Sequence, residues 1–120
     1  MRATLQAAPR HTGLAGGRWQ ALTLVEQLAN IGSEFSRAAR AEATGNKVRF
    51  DAAGDRCLEL FDLTLADDRW HGRRREIARA REMACSYLVG DTALDSDPES
   101  LERYFLSFAM GARRSAPKRA

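Results

Sequence analysis

The stretch 28–65, LANIGSEFSRAARAEATGNKVRFDAAGDRCLELFDLTL, decides the fold. In its first half Leu28, Ile31, Phe35 and Ala38 recur at steps of three and four, with Gly32 and Ala39 beside them on an adjoining row. That is the period of an α-helix, and two adjoining rows make a face wide enough to meet two neighbours. Gly45-Asn46 then breaks the pattern in the manner of a helix stop. Beyond it Phe50, Ala53, Cys57, Leu60 and Thr64 form one row, and Leu58, Phe61 and Leu65 form the next. The stretch reads as a helix hairpin.

On its N-terminal side, the row holding Gly32 and Ala39 extends back through Val25 to Ala21 and the row holding Ile31 and Ala38 to Leu24, which predicts a first helix over 18–44. Its small residues Gly32 and Ala39 are expected to let a partner helix approach closely. The second helix is expected over 47–66. ADDRWHG (66–72) interrupts the period, with Asp67 or Asp68 able to cap the third helix. That helix, over 73–89, would bury Ile77, Ala80, Ala84, Tyr87 and Leu88 and end at Gly90-Asp91. Asp97 as N-cap, Pro98 at the first helical position and Glu99 in the first turn announce a fourth helix. It is expected over 98–110, burying Leu101, Tyr104, Phe105 and Phe108 and stopping at Gly111. No segment alternates with period two. The expectation is an all-α, four-helix up-down bundle over 18–112, with a disordered N-terminal arm (1–17) and a basic C-terminal tail (113–120).

The chain of 120 residues suffices for one core that needs neither disulfide nor metal. Its two cysteines, Cys57 and Cys85, lie among apolar residues and have no further ligand at metal spacing, so both read as buried free thiols. Neither a metal nor another cofactor is expected. No apolar run approaches a membrane span or the core of a secretory signal, which predicts a cytoplasmic protein with no membrane partner.

The net charge of +3 hides strong sorting. Residues 1–41 are basic, 42–68 acidic, 69–81 strongly basic, 82–102 wholly acidic in their charges, and 103–120 wholly basic. Such blocks can pair within the chain, pair between subunits, or meet an anionic partner. RWHGRRREIARAR (69–81) holds six arginines. Arg75 and Arg79 fall one turn apart off the buried row, and Arg73 and Arg74 open the helix, where positive charge opposes the macrodipole. These residues suit phosphate contacts, with Arg69 in the cluster and Trp70 and His71 able to stack on a base. Arg113, Arg114, Lys118 and Arg119 would add a flexible electrostatic arm. The competing reading pairs the cluster with the acidic stripe of helix two, Asp51, Asp55, Glu59 and Asp62.

Catalytic constellations are poorly represented. REMACSYLV continues the third helix without the glycine turn that a helix-turn-helix requires. Neither His11 nor His71 follows an arginine at the four-to-six spacing that HEPN-type ribonucleases use. Glu26 and Glu34 share the polar face of helix one with Asn30, Ser33 and Arg37, but a di-metal site needs Glu-x-x-His motifs that this chain lacks. That face is expected to be solvated. ATGNKVRFDAAGDRCLEL (43–60) has the look of one tetratricopeptide unit, with no second copy to stack on.

Several strings together resemble a family of small, uncharacterised bacterial all-helical proteins: LANIGSEFSRA (28–38), GN (45–46), LELFDLTLADDRW (58–70), REMACSYLVGD (81–91) and ESLERYFLSFA (99–109). The likeness covers about residues 19–114, and its motifs are structural, so it implies a four-helix fold rather than an activity. A looser, fold-level likeness in size, basicity and helix count is to the accessory proteins of diversity-generating retroelements. Those are small basic bundles that oligomerise and bind a reverse transcriptase and its RNA.

The resulting expectation is a non-enzymatic accessory protein. It would self-associate as a homo-oligomer and bind RNA, single-stranded DNA or a nucleoprotein complex through the arginine-rich helix. The alternative is a protein–protein adaptor or antitoxin-like partner that makes no direct nucleic-acid contact.

Overall fold

The computed structural model describes residues 17–90 and 97–114, Arg114 through its backbone alone. Among these residues lie four α-helices and no strand: α1 (Leu24–Ala43), α2 (Lys47–Leu65), α3 (Arg74–Leu88) and α4 (Pro98–Arg114). Two 3-10 segments, Trp19–Ala21 and Asp68–Arg73, precede α1 and α3. The protein is all-α. Most of the expected arm, the loop 91–96 and most of the expected basic tail lie outside the described residues.

Local chemistry accounts for the boundaries. α1 begins at Leu24 rather than at Arg18, because Thr23 and Glu26 form a reciprocal capping box. The Glu26 backbone N–H donates to Thr23 Oγ1 at 3.1 Å, and the Thr23 N–H donates to Glu26 Oε1 at 2.8 Å. At the other end Gly45 takes φ +73°, a conformation that glycine adopts without steric cost. There the Asn46 N–H reaches the Ala41 carbonyl at 2.8 Å and the Gly45 N–H reaches Glu42 at 3.0 Å, the two bonds of a Schellman turn. Asn46 also caps α2, its Oδ1 accepting from the Arg49 N–H at 3.0 Å. One residue thus closes one helix and opens the next. Asp97 caps α4 as expected, accepting from the Ser100 N–H at 2.7 Å.

α4 departs from expectation at its far end, continuing through Gly111 to Arg114. An internal glycine costs about 1 kcal/mol relative to alanine, and the burial of Ala112 (4% exposed) in the core offsets that cost. Arg113 and Arg114 are therefore helical residues and not the start of a flexible tail.

α1 packs mainly on α2 and then on α4, while α2 also carries α3. Leu24, Leu28, Ile31, Phe35 and Ala38 are the buried face of α1, so the row holding Ile31 and Ala38 faces the core. Phe35 sits at the centre, with ring centroids 5.3 Å from Tyr87 and 5.1 Å from Phe105, and Phe61 closes on Phe105 at 6.0 Å. Each helix contributes an aromatic ring to this cluster. Gly32 is not a close-approach point: a Cβ there would meet nothing within 4 Å. The close approach lies at Gly54 on α2, where a Cβ would stand 3.2 Å from Leu88 Cδ2. Of the two thiols, Cys57 is buried and Cys85 only half-buried. Burial, with Glu34 nearby, pushes the Cys57 thiol up to about 12, which keeps it protonated and unreactive at neutral pH.

Candidate nucleic-acid interface

The arginine-rich stretch divides into two parts with different work. Its first part is built into a buried polar lock. Gln27 on α1 is fully buried; its Nε2 donates to the Trp19 carbonyl at 2.9 Å and to Asp67 Oδ2 at 3.1 Å. Its Oε1 accepts the Trp70 indole N–H at 2.9 Å. Trp19, also fully buried, donates its own indole N–H to Thr64 Oγ1 at 3.1 Å. The Arg69 fork grips both oxygens of Asp67 and donates to the Leu22 carbonyl at 2.7 Å, while its guanidinium lies 4.4 Å above the Trp70 ring. Both polar atoms of the Gln27 amide thereby have partners, as a buried amide requires. Arg69 and Trp70, expected at a nucleic-acid surface, fasten the second 3-10 segment to Leu22 and to α1, while Trp19 fastens the first to α2.

The Arg69 fork holds the Asp67 carboxyl below the ordinary aspartate value; Gln27 adds to this and burial opposes it. This depression fixes the sign of the pH effect. A carboxyl whose folded value is depressed contributes stability above its unfolded value, about 3.9, and loses it as pH falls through that value towards the folded one. Asp67→Asn is therefore expected to lower stability at neutral pH and to flatten its decline below about pH 5. Urea melts of both proteins from pH 7 to pH 3 measure this. Parallel curves would show that the Asp67–Arg69 pair does not form in solution.

The second part opens α3. Arg73 is half-buried, bonds Glu76 at 2.9 Å and lies 5.4 Å from the Phe108 ring on α4. The Arg74 Nε donates to the Leu65 carbonyl at 3.2 Å, placing a cation at the C-terminal end of α2. The unfavourable charge at the start of α3 is thus relieved within the chain, by Glu76 in its first turn and by the end of α2. Arg81 reaches the acidic stripe of α2, donating to Asp62 at 2.8 Å, and Asp51 is taken by Lys47 at 3.0 Å. Arg75 and Arg79 differ. Both are exposed, one turn apart on α3, and neither has an ion-pair partner within 4 Å among the described residues. His71 is exposed as well.

Arg113 is exposed on α4, five residues beyond Phe108 and so about 7.5 Å further along the axis. Lys118 and Arg119 lie outside the described residues, as does the Arg114 side chain. Among the described residues no group of three His, Cys, Asp or Glu side chains converges as metal ligands, and no helix is long and apolar enough to cross a membrane.

No protein-family model, curated protein or solved structure matches the chain.

Sequence reasoning missed Gln27 and Trp19 as members of the lock. A glutamine at a position that continues the Leu24–Leu28–Ile31 face was the available signal for the first. It also placed Glu34 on a solvated face, whereas Glu34 is 8% exposed and bonds both Arg37 and Arg56.

Proposed function

We propose that the protein is a non-enzymatic, cytoplasmic accessory protein that binds RNA, single-stranded DNA or a nucleoprotein complex through the exposed arginines of α3. The observation that carries this reading is the Arg75–Arg79 pair, two exposed guanidiniums one turn apart with no ion-pair partner among the described residues. Arginine forks match phosphate geometry. Arg73 and Arg74 precede the pair on α3 and contribute field rather than free forks, since both already have partners; Arg113, exposed on α4, adds a further cation.

The helices are proposed to form an up-down bundle. Residue pairs across α1 and α2 (Ile31 with Cys57, Glu34 with Arg56), α2 and α3 (Asp62 with Arg81, Leu65 with Arg74), and α1 with α4 (Phe35 with Phe105) support that arrangement. Membership of the small bacterial all-helical family is proposed as well, on the strings that resemble it, which fall largely on these helices.

The test is salt dependence. Binding of a labelled single-stranded RNA should weaken steeply with salt, with a slope of about −0.7 per phosphate contact. Reversing both arginines, R75E/R79E, is expected to weaken binding across sequences and to flatten the slope by about 1.4. Exposed substitutions of this kind shift stability by no more than about 0.5 kcal/mol, so the melting temperature should move by no more than about 2–4 °C. A variant that binds RNA as the wild type does would remove α3 from the interface.

Self-association belongs to the same proposal. Leu106 and Met110, one turn apart on α4, are 64% and 44% exposed. Leu106 lines an open groove between α1 and α4 together with Leu28, Ala29 and Gly32. An apolar strip of this kind favours a protein partner, and a second copy is the simplest one. Sedimentation at micromolar concentration is expected to show a dimer or larger assembly that L106E disperses. A monomeric wild type would leave this strip to the adaptor reading.

A further inference from the structure

The charge that matters most for a second site is hidden by its order in the chain. Arg37 and Arg40 come from the basic block 1–41, while Arg49 and Arg56 come from the acidic block 42–68. The α1–α2 hairpin brings all four to one groove of about 590 Å³ beside its turn, within the range of ligand clefts, about 300–1,000 Å³. The floor is small and apolar, made of Ala41, Ala52 and Ala53, and the turn adds Thr44 and Asn46.

α2 carries opposite charges on opposite sides. Asp51 and Asp55 line a different groove, against Leu88 and Val89. On the arginine side lies the carboxylate of Glu34, nearly buried. It accepts from Arg56 Nε at 3.1 Å and from Arg37 Nη1 at 3.4 Å. Each of those guanidiniums thus gives one nitrogen to Glu34, which holds the two forks. Arg40 and Arg49 are exposed and have no ion-pair partner within 4 Å among the described residues. Two of the four guanidiniums therefore bond Glu34, and the other two face the groove with their forks open.

We propose that this groove binds phosphate groups, with Arg40 and Arg49 as direct ligands and Glu34 as the positioning residue for Arg37 and Arg56. Phosphate is favoured over other anions because several planar forks converge on one small space, each able to donate two parallel hydrogen bonds. With alanine as floor and no aromatic ring among its lining residues, the groove reads charge and oxyanion geometry and has no platform for a base. The ligand is either a free oligophosphate or the phosphodiester backbone of a single strand. The site uses no residue of α3, so it stands or falls separately from the interface proposed there.

The test titrates the full-length protein with inorganic tripolyphosphate by calorimetry and with a labelled single-stranded RNA by fluorescence polarisation. R40Q/R49Q is compared with R75Q/R79Q, which changes net charge equally at a distance from the groove. The expected result is tripolyphosphate binding that R40Q/R49Q weakens at least about tenfold and R75Q/R79Q leaves within about twofold, a contrast of at least about fivefold, or ~1 kcal/mol. E34Q is expected to weaken binding in the same direction, with the R40Q/R49Q comparison unaffected should E34Q fail to fold. If R40Q/R49Q also weakens RNA and tripolyphosphate competes with RNA, the groove takes a nucleic-acid backbone. If RNA affinity is unchanged while tripolyphosphate binding is lost, the groove takes a free oligophosphate. Absence of tripolyphosphate binding at millimolar concentration, or equal weakening by the two double variants, would overturn the proposal. Loss of RNA binding in R75Q/R79Q alone would bear on α3 and not on the groove.

Discussion

Trp19→Ala is expected to destabilise the protein by about 3–5 kcal/mol, the range for emptying a buried tryptophan site. Its indole is fully buried although it rides on a turn of three residues, outside every α-helix. Truncation would remove the ring from the core and leave Thr64 Oγ1, itself fully buried, without its donor. At about 4–8 °C per kcal/mol for a domain near this size, thermal melting should fall by roughly 12–40 °C. Thr64→Val separates the two contributions. It keeps the packing but strands the indole N–H, for which a loss of about 1–3 kcal/mol is expected. A Trp19→Ala protein melting within about 5 °C of wild type would mean that the turn does not dock on α2 in solution.

Phe105→Ala should have a loss of the same order, about 3–5 kcal/mol, for a different reason. Phe105 is 6% exposed and bridges Phe35 on α1 and Phe61 on α2, so it joins α4 to both partners of the hairpin. α4 packs chiefly on α1, with a lesser interface to α3, so few other contacts compensate. The adjacent Leu106 provides the control. It is 64% exposed, and Leu106→Ala should change stability by no more than about 0.5 kcal/mol. Chemical denaturation of the two variants reads both values. A Phe105→Ala loss below about 1 kcal/mol, or a Leu106→Ala loss as large as it, would mean that α4 presents another face to the core.

The helices themselves were legible in the sequence because their causes are local. The step of three and four residues, the Gly45-Asn46 turn and the Asp97-Pro98 start each act within one or two turns of chain. The boundaries that differed have either a local signal, as in Thr23-x-x-Glu26, or a tertiary cause, as at Gly111, where burial of Ala112 carries α4 onward. Among the site residues, the exposure of Arg75 and Arg79 was readable from the helical period, since both lie off the row of Ile77, Ala80 and Ala84. The fates of Arg69 and Trp70 were not. Their partners, Leu22 and Gln27, stand 47 and 43 positions away, and no local pattern encodes such a pairing.

Charge shows the division most sharply. By itself the sequence determined an all-α chain whose basic and acidic residues alternate in blocks, because composition and period are properties of neighbours along the chain. Only the tertiary structure decided which charges face one another. Folding the α1–α2 hairpin took Arg49 and Arg56 out of an acidic block and set them beside Arg37 and Arg40, and it buried Glu34. It matched Arg81 to Asp62 across α2 and α3 and left Arg75 and Arg79 facing outward. Electrostatic energy depends on distance through space and on burial, and a helix places consecutive residues on different faces, so charge blocks along a chain do not survive as charge patches on its surface.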